Sequence, residues 1–185
     1  MTRPICLIGS EILQHLGGQI IDQYPPALAL VGGELGLTLI PPTDNSVFLG
    51  SPEQSILFQA PCSVVLEQLT ASRTNSVLSG SGNERSEEIV WPIRIRVLFS
   101  IMGYEPRSLY GRVETQQEHF QALARAYEGA LLEALYGYGE DGDKVQMIRN
   151  RSSLPLVEAL NEGQYVGGCV QEWEVTSRVF VPSQQ

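Results

Sequence analysis

The chain has 185 residues, of which 43% are hydrophobic and 18% are charged, and its formal net charge is −9. This length suits one domain with its own hydrophobic core. The acidic balance disfavours a protein that grips nucleic acid with a basic face. No apolar run approaches the roughly eighteen residues that a membrane-spanning helix needs. We therefore expect a single domain over residues 1–185 without a membrane partner.

The three cysteines are Cys6, Cys62 and Cys169, an odd number with wide spacing. This usage is typical of buried free thiols in a reducing compartment. The sequence opens without a recognisable signal peptide. We expect the chain to be made in the cytoplasm.

The first predicted element is a helix over residues 8–21, which Ser10 can cap. The apolar residues that share one face of this helix are Ile12, Leu13, Leu16, Ile20 and Ile21. Pro25 and Pro26 are expected to stop it. The apolar stretch 27–40 is interrupted by three glycines, and it is either a buried strand pair or an irregular packed segment.

Residues 41–52 are rich in turn formers and predict a loop, whereas 55–69 contain strand material. Residues 70–88 form the main stretch of low hydrophobicity. We expect 70–88 to be a mobile loop or a protruding hairpin arm that a neighbouring molecule orders.

The clearest pattern is a strand followed by an amphipathic helix. Between 91 and 101 every second residue is apolar, which predicts a half-buried strand. From about Val113 the period changes to that of a helix. Its predicted buried stripe consists of Phe120, Leu123, Tyr127, Ala130, Leu131 and Ala134.

After this helix we predict a glycine-rich turn over 137–142 and a short strand over 144–149. Residues 154–160 predict a loop or a helical turn, and 169–181 predict the last strand. The fold class is therefore α+β. A small antiparallel or mixed sheet packs against a long amphipathic helix and an N-terminal helix.

Sequence motifs give no sign of a catalytic centre. His15 and His119 have no metal-ligand spacing, and the glycines at 32–36 lack the lysine of a phosphate-binding loop. We expect no catalytic residue, no cofactor and no metal. Arg94 and Arg96 are either surface residues or anchors to acidic groups of a neighbouring subunit.

The order of elements resembles that of the tail terminator or tail-completion proteins of tailed bacteriophages. The matching stretches are 89–102, 113–136, 144–149 and 167–181, and the ending GGCVQEWEVTSRVFVPSQQ is similar to the closing strand of these proteins. The resemblance implies a virion neck subunit without enzymatic activity. Such subunits form a ring, usually of six, that caps the tail tube and meets the head-connector proteins. DNA passes through the ring without sequence-specific binding.

A ring needs two different complementary patches on each subunit. We place one on the 70–88 arm and the other on the polar side of the closing strands. The candidate interface residues are Val77, Leu78, Glu84, Arg85, Arg94, Arg96, Arg149, Glu172, Glu174 and Arg178. One alternative is a cytoplasmic small-molecule-binding or enzymatic domain that gathers Cys62 with His15 or His119 and nearby acids. Another is a monomeric adaptor that binds one partner through the loop.

Overall fold

The computed structural model describes residues 5–50, 52, 60–70, 72–78, 84–101, 107–136, 147–161 and 164–182. Within these residues two long helices accompany a six-stranded sheet and a two-stranded hairpin. The helices are α1 (Ile5–Leu35) and α2 (Gln116–Tyr136). The strands are β1 (Val47–Leu49), β2 (Cys62–Gln68), β3 (Ser72–Leu78), β4 (Glu84–Ile101), β5 (Ser108–Leu109), β6 (Arg112–Val113), β7 (Met147–Asn161) and β8 (Gln164–Pro182).

The main sheet runs in the order β1-β2-β4-β8-β7. Only the β1–β2 pair is parallel among the described strands, so the sheet is mixed. Both β2 and β3 pair with β4, one after the other along its length. The long strand β4 is therefore the organising element, because it pairs along its whole length with β8.

The core lies between one face of the sheet and the two helices. The alternating residues of β4, from Trp91 to Ile101, are all buried, as the period of two predicts. Phe99 stacks on Tyr127 of α2 at 4.0 Å between ring centroids, and Trp173 of β8 packs against Tyr136. These contacts place α2 on this face, and Tyr24 of α1 donates to the Tyr127 carbonyl at 3.0 Å, which holds α1 against α2. The helices pack on the sheet, which confirms the α+β class.

The prediction that Pro25 and Pro26 end the first helix is wrong, because α1 continues to Leu35. Its buried stripe recurs every fourth residue straight through the prolines, at Ile12, Leu16, Ile20, Tyr24 and Leu28. A proline inside a helix costs about 3 kcal/mol. Burial of a large apolar side chain returns about 1.5–3 kcal/mol, so Tyr24 and Leu28 offset much of that cost.

The strand pair or irregular segment predicted for 27–40 is accordingly wrong over its first half, which belongs to α1. The helix ends at Gly36, whose φ of 62° is the left-handed value that glycine adopts freely. Leu37 N donates to the Gly32 carbonyl at 2.9 Å, which closes a Schellman motif. The glycines of this stretch therefore end a helix and do not interrupt a strand.

The prediction of a loop or helical turn over 154–160 is also wrong, because β7 runs unbroken from Met147 to Asn161. Pro155 misled the interpretation, since proline is disfavoured inside a sheet. It is tolerated here because β7 is the edge strand among the described strands, and the N–H groups on its outer side are not needed for hydrogen bonds to a further strand. Of the predicted strand 144–149, residues 147–149 belong to β7, and 144–146 lie outside the described residues, as does the predicted turn 137–142.

Other predictions hold with shifted boundaries. The loop 41–52 contains a short 3₁₀ helix (Asp44–Ser46) and the unpredicted strand β1. Strand material within 55–69 is confirmed at 62–68, while 53–59 lie outside the described residues. The stripe predicted for α2 is buried at every one of its positions. Neither described helix combines the length and the apolarity that crossing a membrane requires.

The helix α2 begins with a capping box. Thr115 N donates to a Glu118 carboxylate oxygen at 2.9 Å, and Glu118 N donates to Thr115 Oγ1 at 3.3 Å. This reciprocal pair satisfies two backbone donors at the start of the helix. The motif Thr-x-x-Glu at Thr115–Glu118 is the sequence signal that marks the start of α2.

Candidate functional site

One face of the sheet carries a row of alternating charges, which we call the charged face. It lies opposite the helices, because its β4 members have the other parity from the buried residues. Among the side chains that the structure describes, arginines and glutamates from neighbouring strands meet there in three ion pairs. The pairs are Arg94–Glu172 at 2.9 Å, Arg96–Glu67 at 2.7 Å and Arg151–Glu174 at 2.6 Å.

Strand register explains two of the pairs. Arg94 lies directly opposite Glu172 on β8 and opposite Glu67 on β2. Arg94 forms its ion pair with Glu172, and Arg96 forms a diagonal ion pair with Glu67, two residues away in the register. The side chains of these pairs are 22–51% exposed, so water still screens them and each pair contributes little to stability. Their effect is to balance the charge of this face.

A three-stranded extension of the sheet, which we call the arm, consists of β3, residues 84–89 of β4 and residues 177–182 of β8. The pairing of β2 with β4 ends at Ile93, and β7 begins opposite Thr176. Among the described residues only the arm continues past these points, through six residue pairs from Ile89↔Ser177 to Glu84↔Pro182. At about 3.3 Å per residue this is roughly 20 Å of strand.

The residues predicted as a loop or a hairpin over 70–88 therefore form a hairpin wherever the structure describes them. Residues 72–78 pair with 85–90, and a bulge falls between Thr74 and Ser76. The connection 79–83 lies outside the described residues. Of the two predicted forms, a loop or a hairpin, the described backbone adopts the hairpin.

The ten candidate interface residues fall into two groups. Arg94, Arg96, Glu172 and Glu174 lie together on the charged face, where each has a partner of opposite charge in the same chain. Arg149 is exposed on β7, opposite Glu174 in the register. The arm holds the other five, which are Val77, Leu78, Glu84, Arg85 and Arg178.

Strand β7 presents a long outer edge, since within the described residues it pairs with β8 alone. An unpaired edge is a template for strand addition. Two register shifts, between Asn150 and Ser152 and between Ala159 and Asn161, interrupt this edge. Together with Pro155 they are the usual devices that prevent continuous edge-to-edge pairing. Contacts at this edge would therefore be made by side chains.

A second polar cluster was missed by the sequence reasoning. Arg107 Nη2 and Nε donate to the two carboxylate oxygens of Glu114 at 2.6 and 2.8 Å, and Arg107 Nη1 donates to the Leu35 carbonyl at 2.6 Å. Glu114 is 1% exposed and also meets His119 Nδ1 at 3.2 Å. The cluster joins the C-terminus of α1 to the start of α2.

The bidentate hydrogen bonds from Arg107 hold the pKa of the Glu114 carboxyl below its ordinary value of 4.5, with a further contribution from His119. An imidazole beside a carboxylate is also the geometry of a catalytic pair. Here both carboxylate oxygens are occupied, and the third arginine bond caps a helix. The arrangement acts as a clamp between the two helices.

The enzymatic alternative predicted a deep pocket that gathers Cys62, His15 or His119 with nearby acids, and His119 does meet the carboxylate of Glu114, in the clamp described above. Cys62 and Cys169 are free and buried, and Cys62 lies in a cluster with Tyr24 and Tyr127. Burial raises the pKa of the Cys169 thiol to about 12, and it raises the pKa of Cys62 as well. Both thiols are therefore protonated and poor nucleophiles at neutral pH. His119 belongs to the separate Glu114 cluster.

His15 is half-buried on α1. Among the residues that the structure describes, no group of three His, Cys, Asp or Glu side chains is placed to hold a metal ion. No protein-family model matches the sequence, and no curated protein shows a significant match to it.

Proposed function

We propose that this chain is a structural subunit of a tailed-phage virion, a tail terminator or a closely related neck protein. Copies of it form a ring, of six in the usual plan, on the end of the tail tube and present a docking surface to the head-connector proteins. The subunit acts through its surfaces, without catalysis, cofactor or metal. The protein is located in the assembled virion.

The observation that carries this proposal is the arm. Within the described part of the chain, roughly 20 Å of three-stranded sheet extends past β2 and β7, and it holds half of the predicted interface residues. A part of the sheet that projects beyond the neighbouring strands is well placed to contact a neighbouring copy. Because the arm differs from the charged face, a contact between the two would be heterologous, which is the kind of contact from which a ring is built.

The order of elements supports the same function. An N-terminal helix, a central β region with an arm, a long strand, a long helix and two closing strands follow one another in the described chain. This is the plan that the resemblance to tail terminators implies. The net charge of −9 suits a ring that passes DNA, since an acidic channel repels the phosphate backbone.

The position in the virion is tested by electron microscopy of particles from cells whose genome encodes the chain, labelled with an antibody raised against it. We expect the label at the head-proximal end of the tail. Label along the tube or on the capsid, or its absence from all particles, would contradict the proposal.

The role of the arm is tested by placing two like charges in it. We expect the double variant Val77→Asp, Leu78→Asp to stay monomeric under conditions in which the unmodified chain forms rings, because buried unpaired charges are costly. The matched control is Leu30→Asp, since Leu30 is 60% exposed on α1. Rings of unchanged mass in the double variant would refute the role of the arm.

A further inference from the structure

The hairpin that β5 and β6 form ends in an unusual turn. Register pairs Leu109 with Arg112, so Tyr110 and Gly111 make a two-residue turn in which both φ angles are positive, 51° and 81°. Such turns prefer Asn-Gly or Gly-Gly, since a side chain is disfavoured at positive φ. Tyr110 occupies this position and is fully exposed, at 103% of its reference area. A large aromatic side chain that stays fully exposed on such a turn gains no burial that would offset the backbone strain.

A groove of about 510 Å³ lies elsewhere on the same chain, between α2 and the edge strand β7. Its floor contains the buried Phe120 and Ala124, and Pro155 of β7 closes the other side. Arg125 and three glutamines of α2 complete the lining. The groove therefore combines an aromatic surface, a cation and several amide groups.

The exposed side chain and the groove are complementary in chemistry. The electron-rich face of a tyrosine ring attracts a guanidinium such as that of Arg125. The edge of the Phe120 ring favours a second aromatic ring beside it. The amides of the glutamines can hydrogen-bond the phenol hydroxyl, so this hydroxyl has partners available within the groove. Tyrosine is also among the residues that most often dominate interface energies.

We propose that Tyr110 of one copy inserts into the α2–β7 groove of a second copy of this chain. The proposal rests on the proposed function, because it names one contact between adjacent subunits of the ring. Knob and groove are different surfaces, so the contact is heterologous and can repeat from copy to copy. It also gives the edge of β7 a partner that needs no added strand.

The contact is tested by mixing two variants that each carry one added cysteine in a Cys6→Ser background, in which the remaining Cys62 and Cys169 are buried. A tagged Tyr110→Cys chain is combined with an untagged Gln121→Cys chain under mild oxidation. Because Gln121 lines the groove, we expect a mixed disulfide between tagged and untagged chains. The matched control replaces Gln121→Cys by Gln14→Cys, since Gln14 is exposed on α1. Equal yields with both partners, or coupling of Tyr110→Cys only to itself, would overturn the contact.

A second measurement uses Tyr110→Asn, which removes the ring and leaves the preferred Asn-Gly turn. We expect self-association, followed by analytical ultracentrifugation, to weaken about thirtyfold, as for the loss of a strong interface residue. Leu30→Asn serves as the control for a change at another exposed apolar residue. Rings of undiminished stability in Tyr110→Asn would exclude the contact and leave the proposed function standing. A chain that stays monomeric and gives no mixed disulfide also excludes it, and virion labelling then decides the function separately.

Discussion

The clamp between the two helices gives the sharpest prediction about stability. The chain contains two bidentate Arg–Glu pairs close together, Arg107–Glu114 and Arg112–Glu118. They share the same chemistry and differ in burial. Glu114 is 1% exposed, whereas the side chains of the second pair are 39–56% exposed. Replacing each arginine with methionine therefore compares a buried pair with an exposed one.

The expected cost follows from what Arg107 leaves behind. Its removal deprives the buried Glu114 carboxylate of both bidentate hydrogen bonds and frees the Leu35 carbonyl at the end of α1. Breaking a buried ion pair costs about 3–5 kcal/mol. Arg107 itself is 22% exposed, so we take the lower end, about 3 kcal/mol. For a chain of this size that lowers Tm by about 6–12 °C. Arg112→Met should give no resolvable change, because exposed pairs are screened by water.

Thermal unfolding followed by circular dichroism measures both variants under the same buffer conditions. Urea titration gives the free energy of unfolding independently of the heat-capacity term. Equal losses in the two variants, or no loss in Arg107→Met, would refute the view that Arg107 joins α1 to α2.

Three further outcomes follow from the structure. The pKa of Glu114 is lower in the folded chain than its ordinary value of 4.5, so its ionised form stabilises the fold at pH values above 4.5. This contribution disappears as the pH falls through the folded-state pKa. The free-energy gap between the unmodified chain and Glu114→Gln should thus shrink as the pH falls below about 4.5, and a constant gap would contradict the assignment. In a Cys6→Ser variant, Cys62 and Cys169 should resist Ellman's reagent until the protein unfolds, because both thiols are buried; immediate reaction of either would show that the core opens there. Tyr110→Asn should raise the unfolding free energy of the monomer by about 1 kcal/mol, since it relieves the positive φ; a lower stability would mean that the tyrosine ring packs within its own chain.

Strong periodicity made the central elements predictable. The alternation of β4 between Ile89 and Ile101 and the stripe of α2 each reflect a face that is buried. In such segments local pattern and tertiary environment agree. The fold class could therefore be inferred from the sequence alone.

The errors fall where tertiary contacts outweigh a local signal. Tyr24 is fully buried and donates to the Tyr127 carbonyl at 3.0 Å, a contact with α2 that helps carry α1 past its prolines. Strand β7 owes its length to its pairing with β8 across a two-residue connection, despite Pro155 and two register shifts. Proline and bulges obscure the alternation from which a strand would be predicted.

The candidate site was predictable in part for the same reason. Parity along β4 and β8 places Arg94 and Glu172 on the face opposite the core, so the charged face follows from sequence. The Arg107–Glu114 clamp does not, because it depends on a hairpin turned by Tyr110 and Gly111. That dipeptide is not one of the usual signals for such a turn.

The central claim is that copies of this chain close into a ring around a channel. It is tested most directly by native mass spectrometry of the purified chain together with class averages from negative-stain electron microscopy. We predict an assembly of about 122 kDa, six copies of the 20.4 kDa chain, with sixfold averages around an open centre. A chain that remains monomeric at every accessible concentration, or that forms only twofold dimers, would contradict it.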